Sequence, residues 1–383
     1  MTEASKEPVN PLVVHVLGAL RHSGAEMMLL CAAESFNRAG IDSLLLAMAD
    51  EQESTLDHLW LRQTCGVQTR HLPSDNWWTF SRGYVRLLRQ VRPICVHVHA
   101  ERASLLTTFL PRLLRIRVIR TVHSSFRFNG LLRARKRIER AVVRRAGVRS
   151  ISISDSVHDN ELSQFKNRSR VILNWYDDRC YRPPTIDERT AARVAREISE
   201  DRVVVAMVGN CSPVKNHEAV FRALSTIGES KRPLLLHAGA EGVKQTEQCL
   251  CSSLGVASDV AFLGATSDVQ SVLFAADAFV MPSLYEGMGI AALEAHATGL
   301  PLLLASSPGL VELAGHFSSS RSFAATDIDS IRDLLLDVQL LEANDSRRGE
   351  RERSSRGTFG LDRGVAEYLA VYGVNDTAAR VGR

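Results

Sequence analysis

Short apolar runs alternating with helical stretches occur in two successive series along this chain, and the second series begins afresh near the middle. The first opens with LVVHVL at 12–17, stopped by Gly18. A helical stretch then runs to Ala39 and is closed by Gly40 before the next run at 41–48. Runs at 94–98, 118–122, 151–153 and 171–173 follow, with a helical pattern at 103–114. The second series has runs at 203–208, 234–237, 260–263, 278–281 and 301–304, with helical stretches at 218–225 and 246–254. Runs this short, with no polar face, suit strands covered on both sides. Their alternation with helices predicts parallel sheets. Two series, each with its own first strand, predict an α/β protein of two Rossmann-like doubly wound domains facing across a cleft. Neither first turn carries Gly-x-Gly-x-x-Gly, which argues against a dinucleotide site.

The formal charge of +4 is unevenly spread: residues 1–183 sum to +11 and the remainder to −7. Pro183-Pro184 lies at the change of sign, so the reading is a first domain over 1–183 and a second over 184–358. Residues 359–383 form a terminal helix, centred on 361–372, and a tail. The polar, Gly-flanked stretch 344–357 (NDSRRGERERSSRG) reads as a surface loop or linker. No run approaches the ~20 apolar residues of a membrane span, and the polar first residues lack a secretory core. A cytoplasmic protein is expected, with its seven scattered cysteines buried and reduced.

The stretch from 260 to 310 carries most of the chemistry. A strand at 279–281 is broken by Pro282-Ser283, a tight loop Tyr285-Glu286-Gly287-Met288-Gly289 follows, and a helix over 290–298 stops at Gly299 and Pro301. Glycines ahead of a helix let a ligand approach the backbone, and unpaired N–H groups at the helix start favour an anion such as a diphosphate. Glu286 and Glu294 are eight positions apart, a span of roughly 12 Å if the segment were wholly helical. That is too far for one acid/base couple and suits one carboxylate at each end of an extended nucleotide-sugar.

Phe262-Leu263-Gly264, Ala275-Ala276-Asp277-Ala278, Pro282-Ser283, Glu286-Gly287-x-Gly289, Leu293-Glu294-Ala295 and Gly299-x-Pro301 occur in that order. With Val208-Gly209-Asn210-x-Ser212-Pro213-x-Lys215-Asn216 before them, they resemble retaining glycosyltransferase family 4, the GT-B fold of glycosyl transferases group 1. Ser23-Gly24-Ala25-Glu26, Thr121-Val122-His123 and Asn174-Trp175-Tyr176-Asp177 are similar to that family's N-terminal segments. The resemblance implies a terminal helix crossing back to the N-terminal domain. It also implies that Lys215 contacts the donor diphosphate, that Glu286 lies near the sugar hydroxyls, and that Glu294 binds the ribose. The backbone of Gly287, Met288 and Gly289 would hold sugar and diphosphate, Gly24 would allow close approach, and Phe262 to Ala265, including Gly264, would line the base. His123 and Glu286 are the expected catalytic pair. Asn210 stands where the family usually has an arginine and brings no charge. Only six of the 47 basic residues are lysines, which gives Lys215 added weight.

The implied reaction is transfer of a sugar, with retention, from an NDP-sugar to an acceptor hydroxyl. The donor is expected to be a UDP-linked hexose or N-acetylhexosamine. No Asp-x-Asp follows a strand suitably, so no metal and no cofactor is expected. Alternatives are a nucleotide-sugar 2-epimerase on a similar fold and a non-catalytic partner subunit. The acceptor is a lipid-linked glycan or a small molecule such as an aminocyclitol. Residues 112–149 hold 13 basic side chains and one acid, Glu139. Within 131–148, Leu132, Ile138, Val142 and Val143 make an apolar stripe, so residues 131–145 either rest peripherally on anionic lipid or form a solvated face. A nucleic-acid partner is not expected. Asn76-Trp77-Trp78 reads as a loop whose tryptophans pack in the core, at an interface or against an acceptor sugar.

Overall fold

The computed structural model describes residues 10–21, 24–54, 56, 61, 65–242, 245–338 and 348–374. It divides into two units, Met1–Leu173 with Asp362–Arg383, and Asn174–Leu361. In the first unit the elements are β1 (Leu12–Leu17), α1 (Gly24–Arg38), β2 (Asp42–Ala47), β3 (Gln68–His71), α2 (Trp77–Val91), β4 (Cys95–Val98), α3 (Ser104–Leu113), β5 (Arg117–Val122), α4 (Gly130–Arg145), β6 (Arg149–Ser152), α5 (Asp155–Phe165) and β7 (Arg170–Val171). The strands pair in the order β3-β2-β1-β4-β5-β6-β7, all parallel. Alternate residues of one strand enter different cores. Leu44 and Leu46 join Val14, Val16, Phe80 and Tyr84, whereas Leu45 and Ala47 join Leu17, Leu29 and Leu30. This period of two is why the runs show no polar face.

In the second unit α6 (Ile186–Val194), β8 (Val204–Val208), α7 (His217–Ser225), β9 (Leu234–Ala238), α8 (Thr246–Ser253), β10 (Val260–Phe262), α9 (Val269–Ala275), β11 (Ala278–Met281), α10 (Ile290–Ala297), β12 (Leu302–Ala305), α11 (Pro308–Gly315), β13 (Ser320–Phe323), α12 (Ile328–Asp337) and α13 (Arg348–Phe359) follow. Its sheet is parallel, in the order β10-β9-β8-β11-β12-β13. Asp277 anchors it: the carboxylate accepts from Val204 N at 2.9 Å and pairs with Arg189 at 2.6 Å and Arg193 at 3.3 Å. The last helix, α14 (Leu361–Tyr372), belongs almost wholly to the first unit. There Arg363 donates to Leu173 O at 2.9 Å, and Tyr368 and Tyr372 are buried.

Three expectations are corrected. The stretch read as a loop over 344–357 is helical from Arg348, while 344–347 lie outside the described residues. Polar residues form its buried face: Arg351 donates to Gly299 O at 2.7 Å, and buried Ser355 bonds to His296. The division between units falls at Leu173, not at residue 183. Residues 174–183 go with the second unit because Tyr176 bridges Gly360 and Asp178 pairs with Arg356 at 2.8 Å. Among the cysteines, Cys95 and Cys251 are buried, but Cys180 and Cys249 are exposed; all seven are free thiols.

Candidate functional site

In the second unit β8 is flanked by β9 on one side and β11 on the other. That change of winding opens a crevice at the carboxyl ends of the strands, the usual ligand position in such sheets. Two loops meet there, Gly209–Asn216 after β8 and Pro282–Gly289 after β11. Asn216, in a left-handed conformation, donates from Nδ2 to Pro282 O at 3.2 Å and to Ala325 O at 2.9 Å. Leu284 N donates to Val214 O at 2.8 Å. Gly309, in the first turn of α11, presses on the second loop so closely that a Cβ would lie 2.6 Å from Glu286 O. Gly289 caps α10 at φ +76, where a side chain would be strained and would meet Leu310 at 2.8 Å.

These ties bring together two residues expected to act at separate points of a ligand. Lys215 Nζ lies 2.7 Å from Glu286 Oε1, with both side chains largely screened from solvent. The pair fixes an ammonium at the mouth of the crevice, where an incoming anion can share it. Glu294 lies within α10, and burial pushes its carboxyl up to about 8, partly opposed by a hydrogen bond from Tyr181. Gly287, Met288 and Gly289 are all buried. Asn210 Oδ1 accepts from Ala240 N at 2.8 Å, so this side chain ties two loops together. Gly264, at φ +67 after β10, accepts from Gly239 N at 2.8 Å through its carbonyl.

In the first unit His123 follows β5 and joins a partly buried histidine chain that the motif did not reveal. His123 Nε2 and His99 Nδ1 share a hydrogen bond at 2.9 Å, and His99 Nε2 and His15 Nδ1 share one at 3.2 Å. The parallel register sets His15 of β1 beside His97 of β4. His97 bonds to Tyr372 OH at 2.8 Å and to Thr121 Oγ1 at 2.7 Å, and Thr121 also meets Tyr368 OH at 3.0 Å. Desolvation lowers all four imidazoles: His15 to about 3, His123 to about 4 with help from the Arg120 charge, and His97 and His99 well below the ordinary value. The chain is therefore neutral at pH 7, and His123 offers hydrogen bonding without charge. His15, His97 and His99 could geometrically hold a cation, but both nitrogens of His97 are already bonded to hydroxyls. The sequence signal was the pair His97 and His99, two positions apart at the end of one apolar run, with His15 alone inside another.

Gly24 opens α1 and is exposed, whereas Ser23 lies outside the described residues. Trp77 and Trp78 begin α2 rather than a loop, capped by Asn76, and they stack on each other at 4.0 Å. They are 53% and 62% exposed, so neither packs in the core. The basic segment forms α4, with an unexpected inward face. Arg140 pairs with Glu161 at 3.2 Å and Lys136 with Glu101 at 2.8 Å, while Leu131, Leu132, Ile138 and Val142 point outward. Of the predicted apolar stripe only Val143 is buried.

Comparison with known proteins places both halves in one family. Residues 22–179 match Glycosyltransferase Family 4, and residues 188–355 match Glycosyl transferases group 1. The chain is 26% identical over 293 residues to the N-acetyl-alpha-D-glucosaminyl L-malate synthase of Bacillus anthracis, covering 72% of this chain and 74% of that one. It is 32% identical over 221 residues to the D-inositol 3-phosphate glycosyltransferase of Actinosynnema mirum, covering 50% of each. Over several curated relatives the match spans half of their length or less. The crystal structure of Anabaena Alr3699/HepE in complex with UDP superposes with a TM-score of 0.79 at 16% identity, covering 95% of this chain and 100% of that one. At that identity the likeness speaks for the fold, which is GT-B. With a family match on each parallel-sheet unit, and Asn210, Lys215, Glu286 and Gly289 standing on the loops at the carboxyl ends of β8 and β11, the chain belongs to glycosyltransferase family 4.

Proposed function

We propose that the protein is a retaining, metal-independent glycosyltransferase that takes a sugar from a nucleoside-diphosphate donor, UDP-linked in its commonest form, and joins it to an acceptor hydroxyl. The observation that carries this reading is the Lys215–Glu286 pair at the mouth of the second unit's crevice. A diphosphate drawn to Lys215 leaves Glu286 beside the sugar that the phosphate carries. Glu294, eight residues on, then faces the ribose. Stabilising the charge on the departing diphosphate is the main contribution asked of the protein, from Lys215 and the amide groups at the start of α10. In a front-face displacement the leaving phosphate helps to take the acceptor proton.

The acceptor reading favours a small hydroxylated molecule, since two relatives carry inositol 3-phosphate and L-malate in their names. A second reading, a lipid-linked acceptor, is supported by the outward Leu131, Leu132 and Ile138 interleaved with exposed Arg133, Arg135 and Arg137. No helix among the described residues is long and apolar enough to cross a membrane.

UDP binding separates the two glutamates, because free UDP has a ribose and no sugar. Glu294→Ala should weaken UDP binding, whereas Glu286→Gln should leave it nearly intact and lower kcat with donor. Calorimetric titration of both variants with UDP is the test. The reverse pattern would mean that the nucleotide runs the other way along α10.

A further inference from the structure

Four side chains that the donor reading does not use converge at the carboxyl ends of β8 and β9. Cys211 stands in the loop after β8, His217 opens α7, His237 lies on β9, and Glu247 sits in the first turn of α8. One donor atom from each lies within 4.8 Å of all the others. Cys211 Sγ is 3.0 Å from Glu247 Oε2 and 4.0 Å from His237 Nε2, and His217 Nδ1 is 3.1 Å from the same carboxylate oxygen. Zinc bonds of about 2.0–2.3 Å place the corners of a tetrahedron about 3.3–3.8 Å apart, so small shifts would seat an ion. Both histidines are buried, and Cys211 and Glu247 are partly exposed, which leaves a way in.

We propose that Cys211, His217, His237 and Glu247 bind one divalent transition-metal ion of the zinc type in a closed, four-ligand structural site. The donor set is mixed sulfur, nitrogen and oxygen, which suits zinc and not magnesium or calcium. On binding, the Cys211 thiol releases its proton to solvent. Thiolate and carboxylate then cancel the ion's two charges, and two neutral imidazoles complete a site with no net charge to bury. His237 Nε2 lies 3.1 Å from Gly209 O, and its Nδ1 is buried with no hydrogen-bond partner among the described residues. A bound cation favours the Cys211 thiolate over the thiol. The ion would fasten the loop that carries Asn210 and Lys215 to α7, β9 and α8.

The test reads metal on the intact chain, without donor or acceptor, so it stands whatever the transferase reading proves to be. Protein purified without a metal-affinity column should carry about one zinc per chain by elemental analysis. Exchange for cobalt(II) should give the thiolate-to-cobalt charge-transfer band and the visible bands of a tetrahedral ion. Cys211→Ser should abolish the charge-transfer band and cut zinc content by an order of magnitude. A simple hydrogen-bonded network would tolerate that change, because serine also donates to Glu247. Cys249→Ser, on the exposed neighbour, should change neither signal. Background metal with no cobalt band in the parent would overturn the proposal, as would a charge-transfer band that survives in Cys211→Ser. Should Cys211→Ser fail to fold, the parent and Cys249→Ser spectra still decide it.

Discussion

Glu294→Gln tests the electrostatics of the crevice before any ligand is added. In the folded chain burial pushes this carboxyl up to about 8, against an ordinary value of 4.5. The folded state therefore holds the proton more tightly than the unfolded chain does. The stability this gives is full below pH 4.5 and is lost as the pH rises through about 8. Between pH 5 and pH 9 the loss integrates to roughly 4 kcal/mol, at about 1.36 kcal/mol for each pH unit separating the two titrations. Glutamine keeps the size and an acceptor for Tyr181 but cannot ionise, so its profile should lack this slope. The variant should match or fall below the parent at pH 5 and exceed it at pH 9. Urea midpoints for both proteins, measured at intervals across that range, provide the assay. Parallel profiles would refute the reasoning, because they would mean that the carboxyl stays ionised in the fold.

Lys215→Ala should weaken UDP binding by roughly 1.5–3 kcal/mol, the worth of a lost charged hydrogen bond; an unchanged Kd would remove Lys215 from the diphosphate site. If α4 rests on lipid, neutralising Arg133, Arg135 and Arg137 together should cost on the order of 1 kcal/mol per charge in sedimentation with anionic vesicles. Equal behaviour of parent and variant would leave the small-molecule acceptor as the better reading. Transfer should continue at full rate in EDTA with magnesium and manganese withheld, over an assay of minutes. A loss restored by either of those ions would end the metal-independent reading of the reaction.

The sequence by itself determined the layout of the sheets and the family, because both are written in local patterns. A buried parallel strand must be apolar on both faces, so the runs at 12–17, 204–208 and 278–281 announce themselves without knowledge of their neighbours. The loop before α10 was legible for the same reason, since only certain residues fit a backbone that must turn and then cap a helix. The reverse held for 348–357, where a buried face made of Arg351 and Ser355 gives no hydrophobic period to read. Tertiary structure alone decided which side chains meet. The Lys215–Glu286 pair joins positions 71 residues apart, and the chain His15–His99–His123 needs three strands in register. Cys211, His217, His237 and Glu247 show no metal-binding spacing, because their approach depends on two parallel strands ending side by side. The raised Glu294 carboxyl likewise comes from burial, and burial is a property of what surrounds a residue in space, which a single sequence position does not carry.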